Sequence, residues 1–170
     1  MQLLKRLMRL GTKKPTIVGR GCSMTDTDGD PQSRLDGLKL RLNEAVRHFE
    51  QVAGEKVRRA ELPGEFPDSP GGFLSVDPDG RYRFEIRERG EPTALIVSDR
   101  IDEVVLGVMS DVASSHAQSA ALRHPDYESV NDARRLWFPR WSRLMHSLSP
   151  EWGRHTDREI SEILKTYPFD

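Results

Sequence analysis

The sequence lacks several features that would indicate a membrane location, a disulfide framework or a thiolate metal site. It contains a single cysteine, Cys22, so no disulfide can form within the chain and no cage of cysteines can hold zinc. No run approaches the roughly 20 apolar residues that a membrane-spanning helix needs. The first ten residues also lack the uninterrupted apolar segment of a secretory signal. We therefore expect a cytoplasmic protein that has no membrane partner.

Catalytic and metal-binding motifs are scarce as well. There is no nucleophile elbow, no phosphate-binding loop and no glycine pattern for a dinucleotide. Asp26, Asp28 and Asp30 alternate like calcium ligands, but Pro31 and Gly37 occupy the positions where a calcium loop needs glycine and glutamate. The five histidines form no helical pair with zinc-ligand spacing: His48, His116, His124, His146 and His155. We predict no catalytic residue, no metal site and no cofactor.

Charge is distributed unevenly along the chain. Residues 1–23 contain six lysines and arginines and no acid, so the formal charge of −1 becomes −7 when they are left out. An acidic folded part argues against general nucleic-acid binding and fits a basic partner, although acidic surface can also serve solubility alone. We interpret residues 1–32 as a flexible tail, first basic and then acidic. Residues 33–170 would form a single domain, and Met24 could be the functional start.

Periodicity predicts the elements of that domain. Apolar residues at steps of three and four predict helices over about 33–53, 99–123 and 129–147, with Asp99 as a cap and Pro139 kinking or splitting the third. Alternation around Tyr82, Phe84 and Ile86 predicts a central strand, flanked by strands at 72–76 and 93–97. Ser149 would cap a last helix. The expected fold is α+β, with a small antiparallel β-meander packed against about four helices.

Two loops of this fold are candidates for binding. The first spans residues 62–72, is rich in proline and glycine, and carries Glu65, Phe66 and Asp68. The second is the tight turn between the first two strands, which carries Asp77 and Asp79. Acids on fixed protrusions could enter a basic cleft of a partner, although they could equally be ordinary solvated turn residues. The three tryptophans are interpreted as core residues, with a partner-binding surface as the alternative: Trp137, Trp141 and Trp152.

Several segments, taken in order, resemble the bacterial family called immunity protein 63. They are the strand ending in Glu88-Arg89-Gly90, the helix start at 99–105, the Arg-Arg-apolar-Phe segment at 132–138, the Leu-x-Pro-x-Trp segment at 148–152 and the tail at 159–170. The similarity covers about residues 72–170. It implies a protein that binds a cognate toxin, as a heterodimer, and blocks its active site in the producing cell. A nuclease and a cofactor-degrading enzyme such as an NAD-degrading toxin are both compatible with it.

Two other functional classes stay open on the sequence alone. A small hydrolase or transferase could use paired carboxylates in a cleft, with Arg87 or Arg89 assisting. A regulator could bind nucleic acid through its basic first 23 residues. A neighbouring toxin gene, a deep polar pocket with perturbed acids, or salt-sensitive DNA binding would favour the first, second or third class respectively.

Overall fold

The computed structural model describes residues 30–64, 66–88 and 91–169. Four α-helices, a short 3₁₀ turn and one three-stranded sheet make up this part of the chain, which confirms the predicted α+β class. In chain order the elements are α1 (Pro31–Ala53), the 3₁₀ turn (Arg59–Glu61), β1 (Phe73–Val76), β2 (Tyr82–Glu88), β3 (Glu91–Ser98), α2 (Ile101–Ala121), α3 (Arg134–Leu148) and α4 (Pro150–Thr166).

Helix α1 begins two residues earlier than the sequence predicts. Pro31 occupies its first turn, where the missing N–H would have had no partner, and Gln32 donates a side-chain hydrogen bond to Asp36 at 2.9 Å. Gly54 ends the helix in the left-handed conformation, with φ of 71°, and its N–H donates a hydrogen bond to the carbonyl of Glu50. One apolar face enters the core: Leu38, Leu42, Ala45, Val46 and Phe49.

The sheet is antiparallel with the strand order β1-β2-β3. Leu74 of β1 pairs with Phe84 of β2, which pairs with Ile96 of β3, and these side chains point toward the helices. Phe84 is buried, while Tyr82 and Ile86 are half-buried and pack against the core that contains the valines of α2. The alternating residues that predict this strand therefore mark the face of β2 that is turned to the core.

The start of α2 differs from the prediction that Asp99 caps it. The residue at the cap position is Arg100, which makes no side-chain capping bond. Ser98 takes part instead, because its hydroxyl accepts from the N–H of Arg100 at 3.0 Å and donates to Glu103 at 2.6 Å. Gly107 allows β3 to lie close to this helix, since a Cβ there would stand 2.0 Å from Cδ1 of Ile96.

Helices α3 and α4 form an antiparallel pair on the far side of the core. Of the predicted kink or split at Pro139, the split is wrong, because the helix continues through this residue, which has no N–H to donate to the preceding turn. The helix also starts later than predicted, at Arg134, whose N–H donates to the carboxylate of Asp132. Ser149 caps α4 as predicted and accepts from the N–H of Glu151. All three tryptophans are buried in the core: Trp137, Trp141 and Trp152.

No helix in the described ranges is both long and apolar enough to cross a lipid bilayer.

Candidate interaction surface

The proline- and glycine-rich loop is held closed by its own backbone. The N–H of Gly64 donates to the carbonyl of Gly72 at 2.9 Å, and the N–H of Gly72 donates to the carbonyl of Ser69 at 2.9 Å. Ser69 makes two hydrogen bonds with Phe66. Its N–H donates to the carbonyl of Phe66 at 3.0 Å, and its hydroxyl accepts from the N–H of Phe66 at 3.3 Å. These bonds fix Gly64 and residues 66–72 relative to one another.

Glycine is required where this loop meets the sheet. At Gly71, a Cβ would lie 2.1 Å from the carbonyl oxygen of Leu62. Gly72 has φ of 86°, and a Cβ there would lie 2.5 Å from the ring of Phe84. The fixed loop presents Phe66, which is 71% exposed, beside the exposed Asp68. Glu65 lies outside the described residues.

The turn between β1 and β2 is organised by Asp77. Its carboxylate is 7% exposed and accepts from the N–H groups of Asp79 at 3.1 Å and Arg81 at 2.9 Å. Nε of Arg81 adds an ion pair at 3.0 Å. The N–H of Arg81, opposed by partial burial, lowers the pKa of Asp77 with help from the guanidinium. Asp77 therefore holds the turn together, whereas Asp79 is exposed.

The two predicted loops do not meet. They lie at opposite ends of β1, whose four residues separate them by roughly 13 Å or more at the usual rise per residue. Both lie beside α1. The guanidinium of Arg34 lies 4.8 Å from the centre of the Tyr82 ring and close to Gly80 at the turn, and Lys39 lines a groove together with Gly64 and Ser69 of the loop. A partner that contacts both loops would have to span β1.

A groove of about 960 Å³ connects α1, the 3₁₀ turn and the loop. Its lining is mainly apolar and contains two cations, Lys39 and Arg59, and no acid. Sequence reasoning missed this groove because its residues come from separate segments, and no local pattern links Lys39 to Arg59.

A second cleft of about 660 Å³ lies among α1, the start of α2 and the start of α4. Charged residues line it, and Nε of Arg41 forms an ion pair with Oδ1 of Asp102 at 3.1 Å. Trp152 contributes to the apolar part of its wall. His155 lies in it, and burial lowers the pKa of this histidine. In the described ranges, no three histidine, cysteine or acidic side chains are placed to hold a metal ion.

Ser142, His146 and Asp157 come together as a serine, a histidine and an acid, but not in a catalytic order. Asp157 lies between the other two, accepting from the hydroxyl of Ser142 at 2.5 Å and contacting Nε2 of His146 at 2.7 Å. These two contacts lower the pKa of Asp157. Because the serine donates to the acid, the histidine is not placed to activate it. The cluster joins α3 to α4.

Arg134 binds the segment that follows α4. Its guanidinium binds the carboxylate of Asp132, with Nε at 2.9 Å, and donates to the carbonyls of Tyr167 at 2.7 Å and Pro168 at 3.0 Å. The guanidinium of Arg135 stacks over the ring of Phe169, with its Cζ 4.4 Å from the ring centre. The hydrogen bonds from Arg134 lower the pKa of Asp132. This arrangement gives a structural role to two segments that carry the sequence resemblance.

The chain matches a known protein family. The family model described as immunity protein 63 matches residues 78–162, which is half of the chain. No curated protein and no solved structure matches. The matched segment contains Asp79, most of the sheet and helices α2 and α3, whereas Phe66, Asp68 and Asp77 precede it.

Proposed function

The chain belongs to the immunity protein 63 family, and we propose that it neutralises one cognate bacterial toxin by binding it and blocking its active site. The single observation that carries this proposal is the family match over residues 78–162. An immunity function in general follows from membership. The identity of the toxin, the active-site mechanism and the binding surface are our proposal.

The proposed complex is a heterodimer in the cytoplasm of the producing cell. The toxin would be an enzyme that acts there, such as a nuclease or an NAD-degrading enzyme. Such enzymes bind phosphate-bearing substrates in basic clefts, and the formal charge of −7 outside residues 1–23 favours approach to a basic surface. Inhibition of this kind requires affinity and shape but no catalytic group.

We propose the fixed loop as the centre of the binding surface, with Phe66 as its anchor and Asp68 and Glu65 beside it. Exposed aromatic side chains are frequent anchors in interfaces. Burying a phenylalanine contributes about 1.5–3 kcal/mol relative to leaving it exposed. The loop is already closed by its backbone hydrogen bonds, so binding would not have to order it.

The turn would contribute Asp79 at the edge of the same surface. Asp77 would act indirectly, because its carboxylate is engaged by the backbone of the turn and by Arg81. A variant lacking Asp77 would therefore test the turn's integrity and not a direct contact. Substitutions at Phe66, Asp68 and Asp79 leave these bonds of Asp77 in place, and Asp79→Ala removes only the exposed bond that Nη2 of Arg81 donates to Asp79 at 3.3 Å.

The first experiment is co-expression of the tagged chain with the product of the adjacent gene. We expect the two proteins to co-purify at a 1:1 ratio and the activity of the toxin to disappear. Recovery of a fully active toxin in the presence of excess folded chain would overturn the proposal. Activity assays should cover nucleic acid and NAD cleavage.

The second experiment locates the surface by calorimetric affinity measurement. Phe66→Ala should weaken binding at least tenfold, and Asp68→Ala combined with Asp79→Ala should reduce the salt dependence of the affinity. Leu40→Ala is a matched control, because Leu40 is 58% exposed on α1. Unchanged affinity in the loop variants would move the binding site elsewhere and leave the immunity function standing.

A further inference from the structure

Strand β3 forms one edge of the sheet, and no strand in the described ranges pairs with its outer side. The hydrogen-bond pattern fixes which of its residues point outward. At the turn, the N–H of Asp77 donates to the carbonyl of Arg81 at 2.9 Å, so these two residues form a bonded pair. Bonded and non-bonded pairs alternate along an antiparallel ladder, so Arg83 bonds β1 and Phe84 bonds β3.

The same alternation continues onto β3. Phe84 pairs with Ile96, so the backbone of Ile96 is directed at β2, and the N–H and C=O groups of Leu95 and Val97 are directed at the free edge. The side chains of these two residues are 48% and 36% exposed. An exposed apolar edge strand with free backbone groups is a site where another strand can pair.

Apart from Glu91 at its first position, β3 lacks charged residues that would oppose pairing. Residues 92–98 contain no lysine, arginine, aspartate or glutamate, although native edge strands commonly carry such charges to prevent association. Pro92 lies near the beginning of the strand. The stretch that begins at Leu95 is therefore open to a partner strand of matching, uncharged character.

We propose that this edge is the interface of a symmetric homodimer, in which β3 of one copy pairs antiparallel with β3 of a second copy. A two-fold axis at Ile96 places Leu95 opposite Val97 of the other copy, and Val97 opposite its Leu95. Both pairs then use the outward N–H and C=O groups, and two apolar side chains meet in each pair. The result is a continuous six-stranded sheet across the dimer.

The second copy is favoured over a different protein because the edge is complementary to itself. A two-fold interface brings each residue against its own surface patch, so any charge near the axis would meet a like charge. None is present in residues 92–98. The loop that carries Phe66 adjoins β1 at the opposite edge of the sheet, so dimerisation leaves the proposed toxin surface accessible. The homodimer does not depend on the proposed function.

Sedimentation velocity of the full chain tests the association. A pairing confined to strand edges buries less than the roughly 1,200–2,000 Å² of standard interfaces, so we expect a weak dimer that forms as concentration rises toward about 100 μM. Val97→Pro removes one outward N–H without removing a bond to β2, and Leu95→Lys places charge on the edge. Both variants should sediment as monomers, while Leu40→Lys, an exposed control on α1, should dimerise like the unchanged chain.

Cysteine cross-linking tests the register, in a background where Cys22→Ser removes the native thiol. A mixture of Leu95→Cys and Val97→Cys chains should form a disulfide, because paired Cα atoms lie about 5.5 Å apart. Either variant alone should cross-link several-fold less, since its cysteines would be roughly 8 Å apart, beyond the usual disulfide range.

A monomer at every concentration, or a dimer unaffected by both edge substitutions, overturns the proposal. A monomeric chain whose toxin binding is lost in Leu95→Lys would also overturn it and assign the edge to the toxin.

Discussion

Replacing Arg134 with leucine should destabilise the fold strongly. Arg134 and Asp132 are both largely buried, and the guanidinium also binds the carbonyls of Tyr167 and Pro168. Arg134→Leu leaves the carboxylate of Asp132 buried without its cation, and removing one member of a buried ion pair costs about 3–5 kcal/mol. That is a large fraction of the about 5–15 kcal/mol that keeps a typical domain folded.

A double-mutant cycle of Asp132 and Arg134 separates the cost of the unpaired charge from the cost of lost packing. Asp132→Ala combined with Arg134→Leu removes the stranded carboxylate, so the double variant should be more stable than Arg134→Leu alone. Urea unfolding followed by circular dichroism and tryptophan fluorescence measures the free energy of unfolding for all four proteins. We expect a coupling of about 1–3 kcal/mol between the two positions. If the two single effects simply add, the stranded-charge argument is wrong.

The pH dependence gives an independent check. The pKa of Asp132 is lowered in the fold, chiefly by hydrogen bonds from Arg134, so its contribution is present above the unfolded value of about 3.9 and is lost as pH falls through the folded value. In Arg134→Leu the same carboxyl is buried without its hydrogen-bonded guanidinium, and protonation relieves it. The difference in stability between the two proteins should therefore shrink as pH falls from 7 toward 3.

Three further outcomes follow from the fold. Leu38→Ala, at a fully buried position of α1, should cost about 2–5 kcal/mol in urea unfolding; a loss below 1 kcal/mol would mean that the site collapses around the gap. Gly153→Val should lower the melting temperature, because a Cβ there would stand 2.1 Å from the ring of His146, and His146→Ala should restore much of the loss. A chain that starts at Met24 should unfold at the same urea concentration as the full chain and bind the toxin equally well; a loss of several kcal/mol would make residues 1–23 part of the domain.

Patterns that depend on neighbours in sequence were predictable. The alternation of Tyr82, Phe84 and Ile86 identified the central strand, and the steps of three and four identified α1 and α2. Ser149 was identified as a cap because serine before Pro150 satisfies the helix N-terminus locally. In each case the physical cause acts within a few residues.

Features that depend on contacts between distant segments were not predictable. Arg134 binds carbonyls more than thirty positions away, and Ser98 replaced the expected Asp99 because its hydroxyl reaches both Arg100 and Glu103. Asp77 and Asp79 look equivalent in the sequence. Only the folded turn separates a buried acid that holds the backbone from an exposed one that pairs with Arg81 at 3.3 Å on the surface.

The position of the candidate loop relative to the matched segment has a physical consequence. Residues 78–162 supply β2, β3, α2, α3 and most of α4. These elements form the structural frame that supports the loop carrying Phe66. The loop with Phe66 precedes that segment and joins the sheet where Gly64 forms a bridge with Phe73 and where Gly72 passes so near the ring of Phe84 that a Cβ would stand 2.5 Å from it. Loops tolerate change better than the elements they join. Under the proposed function, the frame would maintain the fold common to the family, while side chains near Phe66 would set which toxin is bound, since substitutions there leave the glycine contacts intact.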